Sequence, residues 1–278
     1  MKMQVTHFSH NGELLPIDQA VVSLSNIAYS YGFGVYETLR VSGGIVYFAD
    51  EHVQRLLHSA EVIELAHTFT EEFVTQAIQA LVEKNQVQAC NIKILLIGGT
   101  TAVDAQLYIQ CLNPLFPDRK LYSHGGTFIT ESYERRYPQA KTLNMLPSYL
   151  AYRKAQREHA YDALLLNNQG HIAEGTRTNF FAMRGKTITS APDDQILGGV
   201  MRKVMLQVAT GNGYTIEQGD IGLVDLPNYD AAFVTSTSTK VMPVLSIDSH
   251  SFGEPTADLK ALMKLVDDFL ANSQGKLQ

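Results

Sequence analysis

Cysteine is scarce in this sequence. Only Cys90 and Cys111 occur among 278 residues, each isolated, so neither a disulfide framework nor a cysteine-based zinc site is expected. The nine histidines show no H-E-x-x-H or comparable spacing, and no metal centre is expected from them. Long apolar runs are missing too. None approaches the roughly 18 residues of a membrane span, and the opening MKMQVTHFSHNGELLPID lacks the apolar core of a secretory signal. Basic residues are in deficit, 22 Lys plus Arg against 28 Asp plus Glu, for a net charge of −6. That balance argues against nucleic acid or an anionic membrane as partner. These absences lead to an expectation of a soluble protein in a reducing, cytoplasmic compartment. Two catalytic signatures are absent as well: there is no G-x-S-x-G elbow, and Arg184-Gly185-Lys186-Thr187 lacks the P-loop glycine five residues before Gly185, where Phe180 stands.

What is present is enough apolar residue, 45% of the chain against 18% charged, to build a substantial core. The length suits about one and a half to two domains. Residues 35–41 and 45–48 read as short strands around Ser42-Gly43-Gly44. Asp50 is expected to cap a helix carrying Val53, Leu56, Leu57, Ala60 and Ile63, and a second helix starts near Thr70 with Phe73, Ala77, Leu81 and Val82 on one side. Strands follow at 91–97 and 106–112. The stretch 113–120 holds two prolines and breaks both periods, which makes it a domain boundary.

Beyond it, a strand at 126–131, a helix over about 145–159 and hairpins at 163–173 and 179–190 lead to Gly198-Gly199, which opens another helix. The segment 231–247 is β-rich, and Thr256 caps a closing helix. The fold expectation is mixed α/β (α+β) in two parts: 1–113 as a smaller N-terminal domain, 114–120 as linker, and 121–278 as a larger C-terminal domain.

Four features carry possible chemistry. The glycine pair before Val200-Met201-Arg202 offers free backbone N–H groups at a helix start, a suitable cradle for a phosphate. The hydroxyl run Thr235-Ser236-Thr237-Ser238-Thr239 follows a buried-looking strand. Glu174 lies between two apolar strands, as either a surface turn residue or a buried acid awaiting a cation. Lys141 precedes a helix, where a lysine is most often solvated. Each alone has a bland explanation. Together they are an amine for an aldehyde, an acid for a pyridine nitrogen and a helix end for a phosphate.

The ordered motifs Tyr31-Gly32-x-Gly34-Val35-Tyr36-Glu37, His52-Val53-Gln54-Arg55-Leu56, Lys141-x-x-Asn144, Glu174-x-Thr176-x-x-Asn179-Phe180-Phe181, Leu197-Gly198-Gly199-Val200-Met201-Arg202 and Thr235-Ser236-Thr237 resemble the class IV aminotransferases, the fold-type IV group of pyridoxal-phosphate enzymes. The resemblance covers almost the whole chain; Ser190 stands where the family usually has threonine. It implies two mixed α/β domains with pyridoxal 5'-phosphate between them, working as a homodimer. Lys141 would carry the cofactor as a Schiff base, and Glu174 would pair with the pyridine nitrogen. Arg55 would bind the phosphate, with Gly199, the Val200 and Met201 amides and Thr237 completing its cradle.

The same resemblance implies an aminotransferase moving an amino group between an amino acid, of branched-chain or D-amino-acid type, and a 2-oxo acid. Substrate-binding candidates are Tyr31, Tyr36, Thr38, Arg40, Lys93 and Ser238. Lys93 or Arg40 would stand in for an arginine-bearing loop that the segment 98–102 lacks. Leu146, where branched-chain enzymes usually have tyrosine, leans toward the D-amino-acid branch. Thr38 is shared with the aminodeoxychorismate lyases, which release pyruvate to form 4-aminobenzoate, and these are the alternative. A non-catalytic cofactor-binding protein would need a lost lysine or acid, and both are retained.

Overall fold

Alternation over residues 34–42 sets the phase of the strand that organises the first half of the chain. In the computed structural model, which describes residues 5–113 and 117–277, Val35, Leu39 and Val41 are fully buried in a core, whereas Thr38 and Arg40, on the opposite face, are only partly covered. The described residues divide into two units: those of Met1–Leu115, Ala140–Asn144 and Ser273–Gln278, and those of Phe116–Gln139 and Met145–Asn272. Residues 114–116 of the expected linker lie outside the described residues.

The first unit contains β1 (His7–His10), β2 (Glu13–Pro16), α1 (Ile27–Ser30), β3 (Gly34–Ser42), β4 (Ile45–Val46), α2 (Ala49–Val62), α3 (Glu71–Asn85), β5 (Ala89–Ile97) and β6 (Gln106–Leu112). Its strands form one antiparallel sheet in the order β2-β1-β6-β5-β3-β4. One face is covered by α2 and α3, which bury Val53, Leu56, Ala60, Val74, Ile78 and Leu81 against it. Hydrophobic transfer at about 25 cal/mol per Å² makes that shared core the main source of stability.

Two local expectations need correction. Asp50 does not cap α2: the cap is Phe48, in a left-handed conformation (φ 55°) with no side-chain hydrogen bond, and Asp50 lies inside the first turn. There its charge still complements the helix dipole, which is why the sequence pattern looks like a cap. Phe73 is exposed, because the buried side of α3 runs through Val74, Ala77 and Ile78; the Phe73 ring instead lies over Gly12. The β1–β2 hairpin is not among the expected elements.

The second unit contains α4 (Arg119–His124), β7 (Gly126–Ser132), α5 (Leu146–Arg157), β8 (Asp162–Leu166), β9 (Ile172–Gly175), β10 (Asn179–Arg184), β11 (Thr187–Ser190), α6 (Val200–Gly211), β12 (Thr215–Gln218), β13 (Ala231–Ser236), β14 (Lys240–Ile247), β15 (His250–Ser251) and α7 (Ala257–Asn272). The sheet runs β12-β11-β10-β13-β14-β7-β8-β9, with β15 on β14. β9 pairs with β8 and also, at Glu174 opposite Asn179, with β10. Six strands therefore close into a ring, and Glu174 sits at the seam. Phe181 and Phe233, directly opposite on β10 and β13, stack with centroids 4.8 Å apart, an arrangement worth about 0.5–1.5 kcal/mol beyond area burial.

Candidate active site

The expected site residues fall into two groups, one per unit. In the first unit the organising residue is Glu37, which sequence reasoning did not single out. It stands on the core face of β3 between Val35 and Leu39 and is fully buried. A lone buried carboxylate is strongly unfavourable. α2 supplies the remedy: Arg55 donates from Nε to Oε1 at 2.6 Å and from Nη2 to Oε2 at 2.9 Å, and His52 Nδ1 lies 2.8 Å from Oε2. The three-residue spacing of His52 and Arg55 puts both on one helix face. Burial pushes the Glu37 carboxyl upward, but Arg55 and His52 outweigh it and hold the group well below the usual carboxylate range. His52 is pushed down, chiefly by burial, and is neutral at pH 7, so its Nδ1–H donates to Glu37.

The chain of contacts continues to Lys141. Ser59, one turn beyond Arg55, donates its hydroxyl to the Arg55 carbonyl at 2.7 Å and accepts from the Lys141 amide at 3.0 Å. The Lys141 carbonyl accepts from the Tyr36 amide at 2.9 Å, and the Leu143 amide donates to the Gly34 carbonyl at 2.8 Å. Thr142 makes an isolated bridge to Val35. This is possible because β4 pairs only with residues 41 and 42, leaving the edge of β3 open near Val35. Gly34 is required for the approach: a Cβ there would meet Leu143 Cδ1 at 2.7 Å and the Leu96 carbonyl at 2.8 Å.

The other face of β3 carries the substrate candidates. Tyr36, Thr38 and Arg40 alternate along it, and Lys93 of β5 stands directly across from Thr38. Lys93 Nζ is 3.5 Å from the Tyr36 ring centroid, and Lys141 Nζ is 4.6 Å from the same point. Both ammonium groups therefore use one π-face system. Burial, with the Lys141 charge, lowers Lys93 to about 8 against the opposing pull of Tyr36 and Glu37. Tyr31 caps the end of α1 and is largely exposed.

In the second unit Glu174 is buried and has found a cation. Arg135 Nε lies 2.7 Å from its Oε1, and Arg135 Nη2 also donates to the Thr176 carbonyl at 2.8 Å. Its Oε2 accepts from Asn179 Nδ2 at 3.4 Å and the Leu197 amide at 3.3 Å. Asn179 Nδ2 also donates to the Leu197 carbonyl, which fixes the entry to α6.

Gly199 caps α6 without any side-chain hydrogen bond, so the first-turn amides of Val200 and Met201 have no intrahelical acceptor. A side chain at 199 would strike Asn179 Oδ1. Thr237 and Ser238 form the turn joining β13 to β14, and at its base the buried Thr235 hydroxyl has no hydrogen-bond partner among the described residues. Arg202, buried in the same helix start, pairs with Asp193 at 2.6 Å and donates to Ser190 Oγ at 3.2 Å. A bare helix N-terminus beside an unsatisfied hydroxyl suits an anion such as a phosphate ester.

The family pattern described as amino-transferase class IV matches residues 34–247. The chain belongs to the class IV aminotransferases. It is thus an enzyme of a pyridoxal-phosphate-dependent family. This aminotransferase is 31% identical over 273 residues to a D-alanine aminotransferase of Bacillus licheniformis, covering 95% of both chains. It is 27% identical over 248 residues to a probable branched-chain-amino-acid aminotransferase of Rickettsia bellii, covering 86% of each. Its fold matches a branched-chain amino acid aminotransferase (T.th.) solved with pyridoxamine 5'-phosphate, with a TM-score of 0.88 and 25% identity over 96% of this chain and 94% of that one. Fold-type IV architecture is therefore established for this aminotransferase.

Sequence reasoning missed Glu37, His52 and Ser59 as one network, and Arg135 as the partner of Glu174. For Glu37 a signal existed, since an acid in the apolar phase of a strand demands a cation. For Arg135 none did, because the pairing bridges 39 positions of chain without local periodicity.

Proposed function

We propose that this aminotransferase transfers the amino group of a D-amino acid to a 2-oxo acid, using pyridoxal 5'-phosphate attached through Lys141. When bound, the cofactor supplies an aldehyde that takes up the amino group and a protonated ring that draws off electron density from the α-carbon. The single observation that carries the reading is the Lys141 segment itself. Its main chain is tied by hydrogen bonds to Ser59, Tyr36 and Gly34, so the amine is aimed by backbone rather than by its flexible stem.

Each residue then has a task. Lys141 Nζ would hold the cofactor and would take the proton from the substrate α-carbon. Glu174, which lies 2.7 Å from Arg135, would pair with the ring nitrogen. Gly199, the Val200 and Met201 amides and the Thr237 hydroxyl would hold the phosphate, a reading supported by the α6 first-turn amides, which lack helix acceptors, and by the Thr235 hydroxyl, unsatisfied among the described residues; Arg55 is proposed with them on the family resemblance alone. Lys93 and Arg40 receive a substrate carboxylate, with Tyr31, Tyr36, Thr38 and Ser238 shaping the rest. D-Amino acids are placed ahead of branched-chain ones on Leu146 and on the name of the relative at 31% identity.

Homodimer formation is part of the proposal, supported by exposed Val21, Leu24, Ile27, Tyr29 and Tyr31 along one short segment. A cytoplasmic location is proposed from the acidic balance and the two buried free thiols. Among the described residues no helix is long and apolar enough to cross a membrane.

The test is a half-reaction. Cofactor-loaded protein should lose its visible band on adding D-alanine and release pyruvate, and borohydride reduction should fix the cofactor on Lys141. Bleaching by L-leucine alone would assign the branched-chain type instead. Formation of 4-aminobenzoate from aminodeoxychorismate would make it a lyase.

A further inference from the structure

Thr176, the residue after β9, divides its backbone between two partners. Its amide donates to the Ala163 carbonyl of β8 at 3.0 Å, continuing the antiparallel register that sets Leu164 opposite Gly175. Two residues so placed ordinarily exchange both bonds. Here the Ala163 amide instead donates to Oδ1 of the adjoining Asp162 at 2.9 Å, and the same oxygen accepts the Thr176 hydroxyl. The Thr176 carbonyl, turned away from the ladder, accepts from Arg135 Nη2 at 2.8 Å, and Arg135 Nε lies 2.7 Å from Glu174 Oε1.

We propose that Asp162 is a positioning residue for Glu174: by taking the Ala163 amide and the Thr176 hydroxyl on one oxygen, it frees the Thr176 carbonyl to anchor Arg135, which sets the Glu174 carboxylate. The inference rests on Glu174 being the acid that meets the ring nitrogen, as proposed above. Arg135 belongs to no strand or helix, so its guanidinium is placed by its side-chain contacts. Asp162 opens β8 and is fully buried, a position where a carboxyl group is costly unless its bonds have a use. Glycine at 175 makes room for it, since a Cβ there would meet both Thr178 Oγ1 and Asp162 Oδ2. Both of its bonds fall on Oδ1, an oxygen that asparagine also has, and Oδ2 has no hydrogen-bond partner among the described residues.

The experiment measures, in the full-length apoprotein, equilibrium binding of pyridoxal 5'-phosphate and of its deaza analogue, in which CH replaces the ring nitrogen. Only the first can present a cation to Glu174, so the ratio of the two affinities reads that contact and cancels general damage to the site. The wild type should prefer pyridoxal 5'-phosphate about ten- to a hundredfold, the range of a charge-assisted hydrogen bond, and Glu174→Gln should remove most of that preference. Asp162→Ala should cut the ratio about tenfold, and Asp162→Asn should keep it within about twofold of the wild type.

An Asp162→Ala ratio equal to that of the wild type overturns the inference, however far both affinities fall. Should that variant fail to fold, Thr176→Val decides: removing the hydroxyl alone should cut the ratio about threefold, and an unchanged ratio overturns the inference. An Asp162→Asn ratio as low as that of Glu174→Gln overturns it equally, because the oxygen would then not be what matters. The two readings fail differently. A wild type that binds both compounds alike sinks the role of Glu174 and this inference with it; a preference lost in Glu174→Gln but kept in Asp162→Ala sinks this inference alone.

Discussion

Glu37 and Glu174 are both buried glutamates met by arginine, and their surroundings differ in kind. Glu37 receives two hydrogen bonds from Arg55 and one from His52, so both its oxygens are committed to charged or strongly polar partners from one helix. Glu174 has an ion pair to Arg135 on one oxygen and, on the other, two long contacts from neutral amides at 3.3 and 3.4 Å. The first arrangement spends the carboxylate on holding α2 against β3. The second places a carboxylate at the seam of a strand ring beside one arginine and two long-range neutral donors, a setting that supports the proposed pairing with a cationic ring nitrogen. On the function proposed above, equal residue types at similar burial divide into a structural and a functional acid by the strength of their neighbours.

The sharpest way to break the comparison is Glu37→Ala. It removes the buried acid that Arg55 and His52 share, and removing one partner of a buried pair costs about 3–5 kcal/mol. Urea unfolding should show that loss; a change below about 1 kcal/mol would remove Glu37 from the structural role.

Acid sharpens the same point. His52 is held below its ordinary value, so the unfolded chain binds its proton first and stability begins to fall as pH drops through about 6.5. Glu37 is also lowered; its stabilisation is present above the unfolded carboxylate value of about 4.3 and is lost as pH falls below it. Thermal unfolding against pH should therefore decline in two stages, and His52→Gln should shrink the upper one, leaving the part owed to His67, which burial also lowers. A wild-type curve flat between about pH 7 and about pH 5 would contradict this assignment.

Glu174→Gln tests the other half. Stability should change little, because Arg135 keeps the Thr176 carbonyl and the glutamine remains hydrogen-bonded. The rate should fall about ten- to a hundredfold, the equivalent of one charge-assisted hydrogen bond of about 1.5–3 kcal/mol. Steady-state kcat against the unfolding midpoint separates these outcomes; a large stability loss with unchanged kcat would exchange the roles of the two glutamates.

How far this was legible in the sequence follows the same division between local and distant contacts. The strand at 34–42, the helix beginning after Thr70 and the Gly199 cap of α6 are written in short-range pattern, and the structure has all three. Motif resemblance added Lys141 and Glu174, which no local rule distinguishes from solvated residues. The β1–β2 hairpin, four residues per strand with polar residues at its ends, carries too little alternation to read. The docking of 140–144 on the edge of β3 was illegible for another reason: it depends on β4 being only two residues long and on a glycine at 34. Those conditions arise about a hundred residues away from Lys141.

The smallest expected effect isolates burial from distance. Arg202 meets Asp193 at 2.6 Å, the same separation as Arg55 and Glu37, but the Asp193 side chain is 61% exposed where that of Glu37 is 0%. Water solvates Asp193 whether or not the pair forms, so little desolvation is at stake and the attraction is screened. Asp193→Asn should cost only about 0.2–1 kcal/mol, less in high salt, because Arg202 retains its bond to Ser190 Oγ. If urea unfolding instead gave a loss as large as that for Glu37→Ala, short ion-pair distance rather than burial would govern both arginines, and the contrast between the two glutamates would lose its physical basis.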